Sequence, residues 1–249
     1  MYQDLAQKLK KFAMLEREPV AIYLSKTLPE GAEKVEGEIS FCKMIDIARE
    51  EHKSVYASAS ELQGCQTGIH VLGMGVIDPA VRRGDPDFDE HGVSPSLRIA
   101  RRAFSHRNII EANSINYVTV CPLENAESEP DVVFVQGKPA NVSLLTYAYI
   151  NFIGRYPLGL AGNAFCSGCI AAPYLTGKMT YAVGLHYFGG PPDIMKYKKD
   201  EMFVGIPGEV LKPIVEQLST QRERVMKFMA EKVRRAEQEA AKPNQQTKP

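Results

Sequence analysis

The chain has 249 residues, of which 44% are hydrophobic and 24% charged, a composition typical of one globular domain with a substantial core. Thirty basic and thirty acidic side chains cancel, so no overall field would draw the protein to nucleic acid or to an anionic membrane. The N-terminus lacks the apolar run of a secretory signal, and no stretch has the roughly 18 apolar residues of a membrane span. These absences predict a cytoplasmic protein that binds neither nucleic acid nor membrane.

Hydrophobic spacing in the N-terminal half predicts helices that alternate with strands. Asp4 is the expected cap of a first helix, and the apolar run at 20–24 predicts a buried strand. Ser40 is the expected cap of a second helix, and residues 55–58 predict a short strand. The stretch 78–92, rich in proline, glycine and acidic residues, predicts an exposed loop.

The C-terminal half continues the alternation and sets the fold class. Ser94–Pro95 predicts a helix start, since a capping residue is followed by proline. The run DVVFVQ leads through Gly137 into a helix, which is a β–loop–α unit. Further predicted elements are strands at 117–120 and 179–185 and a helix at 166–175. The chain is therefore predicted to be an α/β single domain, with a mixed sheet flanked by helices.

A charged amphipathic helix is predicted at the C-terminus. The expected division is an α/β domain over 1–219, a helix over 220–241 and a disordered tail over 242–249. Apolar residues recur at helical spacing and predict a stripe that must be covered, either by the parent domain or by a second subunit. Docking on the parent domain is favoured, and a homo-oligomer through this helix is the alternative. The residues expected to be buried are Val225, Phe228, Met229 and Val233.

Five cysteines are an odd number, and in a reducing compartment thiols stay free for metal binding or redox chemistry. Cys166 and Cys169 form a C-x-x-C pair at a predicted helix start, where free amides favour thiolates. Cys65 lies among glycines, and Cys42 lies in the first turn of a predicted helix. Four thiolates suit a 4Fe–4S cluster or a four-cysteine zinc site.

The dispersed spacing of these four cysteines favours a cluster, because structural zinc sites usually show two paired knuckles. We therefore predict an iron–sulfur site with Cys42, Cys65, Cys166 and Cys169 as ligands, and zinc as the alternative. Free cysteine also packs readily in cores, and that is the competing interpretation for each ligand. For Cys121, which ends a predicted strand, packing is the favoured interpretation.

Several runs resemble a known family. FCKMIDIAREEHKSVYASASELQGCQTGIHVLGMG, CPLENAESEPDVVFVQGKPANVSLLTYAY, AFCSGCIAAPYLTGKMTYAVG and DEMFVGIPGEVLKPIVEQL occur in the order found in the uncharacterised archaeal and bacterial ArCR family, domain-of-unknown-function family 169. The resemblance spans residues 1–218 and implies that cysteines recur at the positions of Cys42, Cys65 and Cys166. Cys121 stands where many relatives have another residue. The family name implies no activity, so function depends on the site.

Other candidate groups carry weaker signals. A basic neighbourhood could hold an anionic substrate or an acidic partner, although a solvated helix face is the more common role. His70 could be a ligand or a proton donor, and the amides after Gly137 could face a phosphate. No hydrolase motif is present. The basic neighbourhood comprises Arg82, Arg83, Arg98, Arg101, Arg102, His106 and Arg107.

Three functions remain open at this point. The leading hypothesis is an anaerobic-type iron–sulfur protein that acts in electron transfer or in activation of a substrate, with a redox partner protein or a small molecule as its counterpart. The second is a thiol–disulfide redox enzyme that uses Cys166 and Cys169. The third is a non-catalytic binding module with zinc or without metal.

Overall fold

The computed structural model describes residues 1–86, 94–161, 164–183, 198 and 200–240. Within these ranges eight strands and eight α-helices are numbered in chain order. The strands are β1 (Val20–Ser25), β2 (Glu33–Lys34), β3 (Val55–Ser58), β4 (Tyr117–Pro122), β5 (Val132–Gly137), β6 (Leu158–Ala161), β7 (Thr180–Val183) and β8 (Met202–Pro207). The helices are α1 (Tyr2–Ala13), α2 (Phe41–Glu50), α3 (Gln66–Val71), α4 (Pro79–Arg83), α5 (Leu97–Ser105), α6 (Pro139–Ile153), α7 (Ala172–Thr176) and α8 (Gly208–Ala240). A 3₁₀ turn (Leu123–Asn125) follows β4, and a π-helix (Cys166–Ala171) precedes α7.

The strands form one eight-stranded sheet in the order β2-β3-β4-β1-β5-β8-β7-β6. Two pairs are parallel, β2 with β3 and β6 with β7, and the other five pairs are antiparallel. The first four strands in sequence therefore build one half of the sheet, and the last four build the other. This architecture confirms the predicted mixed sheet flanked by helices.

Each face of the sheet carries its own hydrophobic core. On the front face, α2, α3 and the π-helix cover residues such as Ile22, Val120 and Phe134. On the back face, α1, α6 and the first half of α8 cover alternate residues of the same strands, such as Ala21 and Val133. The alternation follows from the two-residue period of a strand, which sends successive side chains to opposite faces.

The helix starts agree only partly with the predicted caps. The Ser40 hydroxyl accepts the Lys43 N–H at 3.2 Å, as predicted. Asp4 does not cap α1, because the helix already begins at Tyr2, and Asp4 instead pairs with Lys8 one turn later at 2.7 Å. The helix predicted from Ser94–Pro95 begins at Leu97, where Ser96 is the cap. α1 thus has no side-chain cap, whereas in α5 the Ser96 hydroxyl accepts the Ile99 N–H at 3.4 Å.

The segment predicted as an exposed loop over 78–92 is more structured than expected. Asp78 caps the short helix α4 through the Ala80 N–H at 2.7 Å. Asp85 is buried and binds two arginines, Arg83 at 2.8 Å and Arg101 at 2.7 Å. Residues 87–93 lie outside the described residues. The first part of the acidic stretch is therefore packed and not an exposed loop. Arg83 and Arg101 compensate the charge of the buried Asp85 carboxylate.

The C-terminal helix is longer than predicted and begins at Gly208. Its first three turns pack on the back face, where Leu211, Ile214 and Val215 are fully or almost fully buried. Beyond them, three residues expected to be buried on the parent domain or on a second copy are mostly exposed in the single chain: Phe228 at 57%, Met229 at 54% and Val233 at 56%. The favoured alternative, docking on the parent domain, is therefore wrong for these three residues.

No helix in the described part of the chain is both long enough and apolar enough to span a bilayer. The predicted tail over 242–249 lies outside the described residues.

Candidate cysteine site

Two front-face elements bring Cys42 and Cys166 towards each other. Cys42 lies in the first turn of α2, directly after Phe41. The Phe41 ring stacks on Phe165 with centroids 5.9 Å apart, and Phe165 is the residue before Cys166. Because both aromatic rings are buried in the same core, the start of α2 is held against the start of the π-helix.

Cys65 joins this group from the turn before α3. It occupies the cap position of that helix, and its sulfur lies over the first turn. A Cβ atom added at Gly68 would lie only 2.7 Å from the Cys65 Sγ atom. Glycine is therefore required at position 68 for the sulfur to occupy this place.

The charge of Cys65 acts on the thiols of Cys42 and Cys166. Cys42 as a whole is only half-buried, but its thiol is surrounded by protein. That burial raises the thiol pKa well above its usual value, and negative charge on Cys65 or Cys166 would raise it further. Burial likewise raises the pKa of Cys166 to about 12, and Cys65 adds to the effect. The structure thus places Cys166 in the front-face core, with Cys42 and Cys65 packed against that core.

Cys169 is next to this group but differs in its surroundings. It is 0% exposed, and burial raises its pKa, with Cys166 as the neighbouring thiol that contributes. The segment is a π-helix, so residues three apart are not aligned on one side as they nearly are in an α-helix. The carbonyl of Cys169 meets β8, where a Cβ atom on Gly205 would lie 2.1 Å from it. The backbone of Cys169 is therefore packed directly against β8.

Cys121 lies on the opposite face of the sheet from the other four cysteines. It is 4% exposed and belongs to the back-face core with Ala21 and Leu123. Burial raises the pKa of its thiol to about 11, although a hydrogen bond with Ser54 opposes that shift. An eight-stranded sheet separates this thiol from the front-face group.

Positive charge lies beside the cysteines. The charge of Arg107 opposes the rise in the pKa of Cys166, and the Arg107 guanidinium lies 3.7 Å from the centroid of Phe104. His70 is buried, and its ring stacks on the Phe104 ring with the centroids 6.2 Å apart. Burial lowers the pKa of His70, and Arg82 and Arg107 lower it further, so His70 favours the neutral form.

The arginine-rich neighbourhood divides into two parts. Arg83 and Arg101 bind Asp85, so they balance a buried carboxylate. The side chains of Arg98, Arg102 and His106 are exposed on or just after α5, as the interpretation of a solvated helix face predicts.

A buried polar network, absent from the sequence-based prediction, lies at the other end of α2. Arg49 donates to Gln136 at 2.7 Å, and Gln136 donates to Glu201 at 2.7 Å. Arg17 donates to the second carboxylate oxygen of Glu201 at 3.1 Å. Burial lowers the pKa of Arg49 to about 10, and the charge of Arg17 adds to that effect. Arg49 lies seven residues after Cys42, which places both residues on the same face of α2. That spacing is the sequence signal that could have predicted an inward-facing Arg49.

The arrangement does not form a ligand set for a single ion. Among the residues that the structure describes, no three histidine, cysteine or acidic side chains are placed to bind one metal ion together. Zinc thiolate bonds are about 2.3 Å long, so thiols around one zinc ion must nearly touch. In an iron–sulfur cluster each thiolate binds a different iron, so the thiols stand further apart.

Comparison with known proteins places the chain in a family. The profile of the uncharacterised ArCR family, domain-of-unknown-function family 169, matches residues 8–217. An uncharacterised protein of Methanocaldococcus jannaschii is 27% identical over 222 residues, which cover 87% of this chain and 93% of the relative. No solved structure matches the chain. Since the family profile spans most of the sequence, the chain belongs to the uncharacterised ArCR family.

Proposed function

We propose that this is an iron–sulfur protein in which Cys42, Cys65 and Cys166 hold one 4Fe–4S cluster. Its role would be electron transfer or cluster-based activation of a small substrate. The observation that supports the proposal is that Cys42, Cys65 and Cys166, from three separate segments, pack in or against one front-face core, where the charge of Cys65 acts on the other two thiols. A bound cluster supplies one-electron chemistry, while the protein sets its potential and its access to solvent.

The positions of the cysteines along the chain support a cluster over zinc. Cys42, Cys65 and Cys166 come from three separate segments, whereas structural zinc sites usually show two paired knuckles. In a cubane each iron takes one thiolate, which suits ligands from dispersed segments. Backbone N–H groups of Cys166 and Ser167 already interact with the Cys166 thiol, and such amide hydrogen bonds stabilise sulfur ligands.

The burial of the C-x-x-C pair argues against the thiol–disulfide alternative. An attacking cysteine needs a lowered pKa and access to its substrate. Cys166 is 6% exposed and Cys169 is 0% exposed, and burial raises the pKa of both thiols. Metal binding offsets the same burial, because a thiol that coordinates a metal releases its proton to solvent and the metal charge stabilises the thiolate.

Cys169 stays a predicted fourth ligand, and its position makes it the weakest of the four. Its thiol is fully buried, and burial raises its pKa, with Cys166 as the neighbouring thiol that adds to the effect. If Cys169 does not bind, the fourth iron has no protein thiolate and is the place where a substrate would bind. Loss of Cys169 should therefore change the spectrum less than loss of any of the other three thiols.

The test is anaerobic reconstitution with iron and sulfide, followed by absorption spectroscopy and chemical analysis. We expect a band near about 400 nm that dithionite bleaches, with iron and acid-labile sulfide in equal amounts. Separate serine substitutions of Cys42, Cys65 and Cys166 should abolish the band. Cys121→Ser is the matched control, since Cys121 lies on the other face, and it should retain full iron content. Protein that binds one zinc ion, or no metal at all, would contradict the proposal.

A further inference from the structure

Arg107 is held beside Cys166 by the chain neighbours of both residues. The Asn108 N–H group donates to the Ser167 hydroxyl at 2.9 Å, and that hydroxyl donates to the Asn108 carbonyl at 3.1 Å. Asn108 directly follows Arg107, and Ser167 directly follows Cys166. Because consecutive Cα atoms are only about 3.8 Å apart, this pair of hydrogen bonds fixes the backbone of Arg107 near the start of the π-helix.

The segment that Arg107 begins is also tied to α3. The Ile110 N–H group donates to the carbonyl of Val71, the last residue of α3, at 3.0 Å. Cys65 is the residue directly before this helix. The segment 107–110 therefore contacts both the π-helix and the helix that follows Cys65, so two proposed ligands lie on elements that it joins.

The side chain of Arg107 is packed on an aromatic ring. Its guanidinium lies 3.7 Å from the ring centroid of Phe104, which is buried. A Cβ atom added at Gly84 would lie 2.5 Å from the Phe104 ring, so the backbone of α4's end fits closely against that ring. Arg107 is itself half-buried, and water therefore screens its charge only in part.

Positive charge at position 107 favours negative charge on the Cys166 sulfur. Arg107 opposes the rise in the pKa of the Cys166 thiol. Cys166 is 6% exposed, and charges interact more strongly where water is excluded. When a one-electron donor reduces an iron–sulfur cluster, the cluster gains one negative charge, and no bond forms or breaks. Net charge is one of the factors that set the potential of this step.

Negative charge lies beside another proposed ligand. The charge of Asp46 adds to the rise in the pKa of Cys42. Asp46 is 5% exposed, and the Lys43 ammonium lies 3.9 Å from its carboxylate. Removal of the Arg107 charge would therefore shift the balance of charge around the thiols further towards negative.

We propose that Arg107 raises the reduction potential of the iron–sulfur cluster by placing a positive charge beside its Cys166 ligand. The inference rests on the proposed iron–sulfur function and names the residue that tunes the redox chemistry of that site. Arginine keeps its charge across the ordinary pH range, so the effect of Arg107 persists at every pH at which the protein is folded.

The test is a redox titration of the reconstituted full chain, with dithionite as the electron donor and the absorption band as the readout. In Arg107→Gln, the ratio of reduced to oxidised cluster at a fixed potential should fall about tenfold, which is about 59 mV for one electron. Arg107→Met, whose apolar stem can still cover the Phe104 ring, is a second neutral variant and should show the same shift. Arg107→Lys keeps the charge and should retain most of the wild-type potential.

Arg102→Gln is the matched control, because Arg102 is exposed on α5 and water screens its charge. This variant should keep the wild-type potential. The direction of the shift separates charge from loosened packing. Water that entered the site would raise the potential, because it stabilises the more highly charged, reduced cluster.

Three outcomes would overturn the inference. The first is a potential in the neutral variants that equals or exceeds that of the wild type. The second is an Arg107→Lys potential as low as that of Arg107→Gln, and in both cases the iron–sulfur function would stand. The third is a wild-type protein that binds no cluster, which would overturn the proposed function as well.

Discussion

The contact between Gly205 and the π-helix gives the sharpest test of how the fold positions the cysteines. In Gly205→Ala, the new Cβ atom would lie 2.1 Å from the carbonyl oxygen of Cys169 and 2.8 Å from its carbonyl carbon. Ordinary carbon–oxygen contacts begin at about 3.3 Å, so strand and helix must separate by roughly 1 Å. Both partners are backbone, and neither can relieve the clash by a change of rotamer.

The cost of this separation has two parts. Overpacking of a well-packed core destabilises by about 1–3 kcal/mol. The Thr180 hydroxyl, which donates to the Gly168 carbonyl at 2.7 Å, lies beside the displaced segment, and loss of such a bond costs about 1 kcal/mol. We expect Gly205→Ala to lower the free energy of unfolding by about 2–4 kcal/mol. Because Cys166 moves with the same helix, the iron content after reconstitution should also fall.

Urea unfolding and iron analysis of the purified variant measure both effects. Gly75→Ala is the matched control, because its Cβ atom would meet Ile69 at an ordinary 3.5 Å. The control should differ from wild type by no more than about 0.5 kcal/mol. A Gly205→Ala protein with wild-type stability and full iron content would refute the reasoning, because β8 and the π-helix would then accommodate the added methyl group without separating.

Three more outcomes follow from the structure. Glu201→Gln removes the carboxylate that compensates Arg17 and Arg49 and should destabilise by about 3 kcal/mol in urea unfolding; an unchanged midpoint would contradict the buried network. Hydrogen bonds from Arg101, with those from Arg83, lower the pKa of Asp85 to about 2, so its contribution is complete above about pH 4 and is lost as the pH falls towards 2. Asp85→Asn should therefore flatten the dependence of Tm on pH in that window, and a wild-type slope would count against this assignment. Truncation after Ser219 should leave the Tm of the domain unchanged and convert a self-associated species to a monomer in light scattering; an unchanged mass would show that the exposed stripe of α8 pairs with no second copy.

Local patterns sufficed to predict most of the elements but not all of their boundaries. The helical spacing of Leu5, Leu9 and Ala13 predicts α1, and all three residues are buried. The Ser40 cap is local chemistry and was equally predictable. Strands β2, β6 and β8 were missed. β2 and β6 have only two and four residues, and the partners of all three strands are distant in sequence. A strand of this kind is defined by its pairing more than by its own residues.

The candidate site shows the same division between local and distant information. Sequence reasoning selected Cys42, Cys65 and Cys166 one by one, from their amide-rich settings. Their meeting depends on the stacking of Phe41 on Phe165, which joins segments more than a hundred residues apart. Cys169 lies in a π-helix, which no spacing rule predicted.

The division of the sheet into two sequential halves has a consequence for the newly synthesised chain. Cys42 and Cys65 flank β3, in the half built first, whereas Cys166 follows β6 in the half built last. A nascent chain that has made only β1–β4 contains two of the three thiols of the proposed site. In the proposed iron–sulfur protein, iron would therefore bind only after the ribosome has passed the π-helix, and a prematurely terminated product would not bind it. In this protein, loading with metal would report that synthesis had proceeded beyond Cys166.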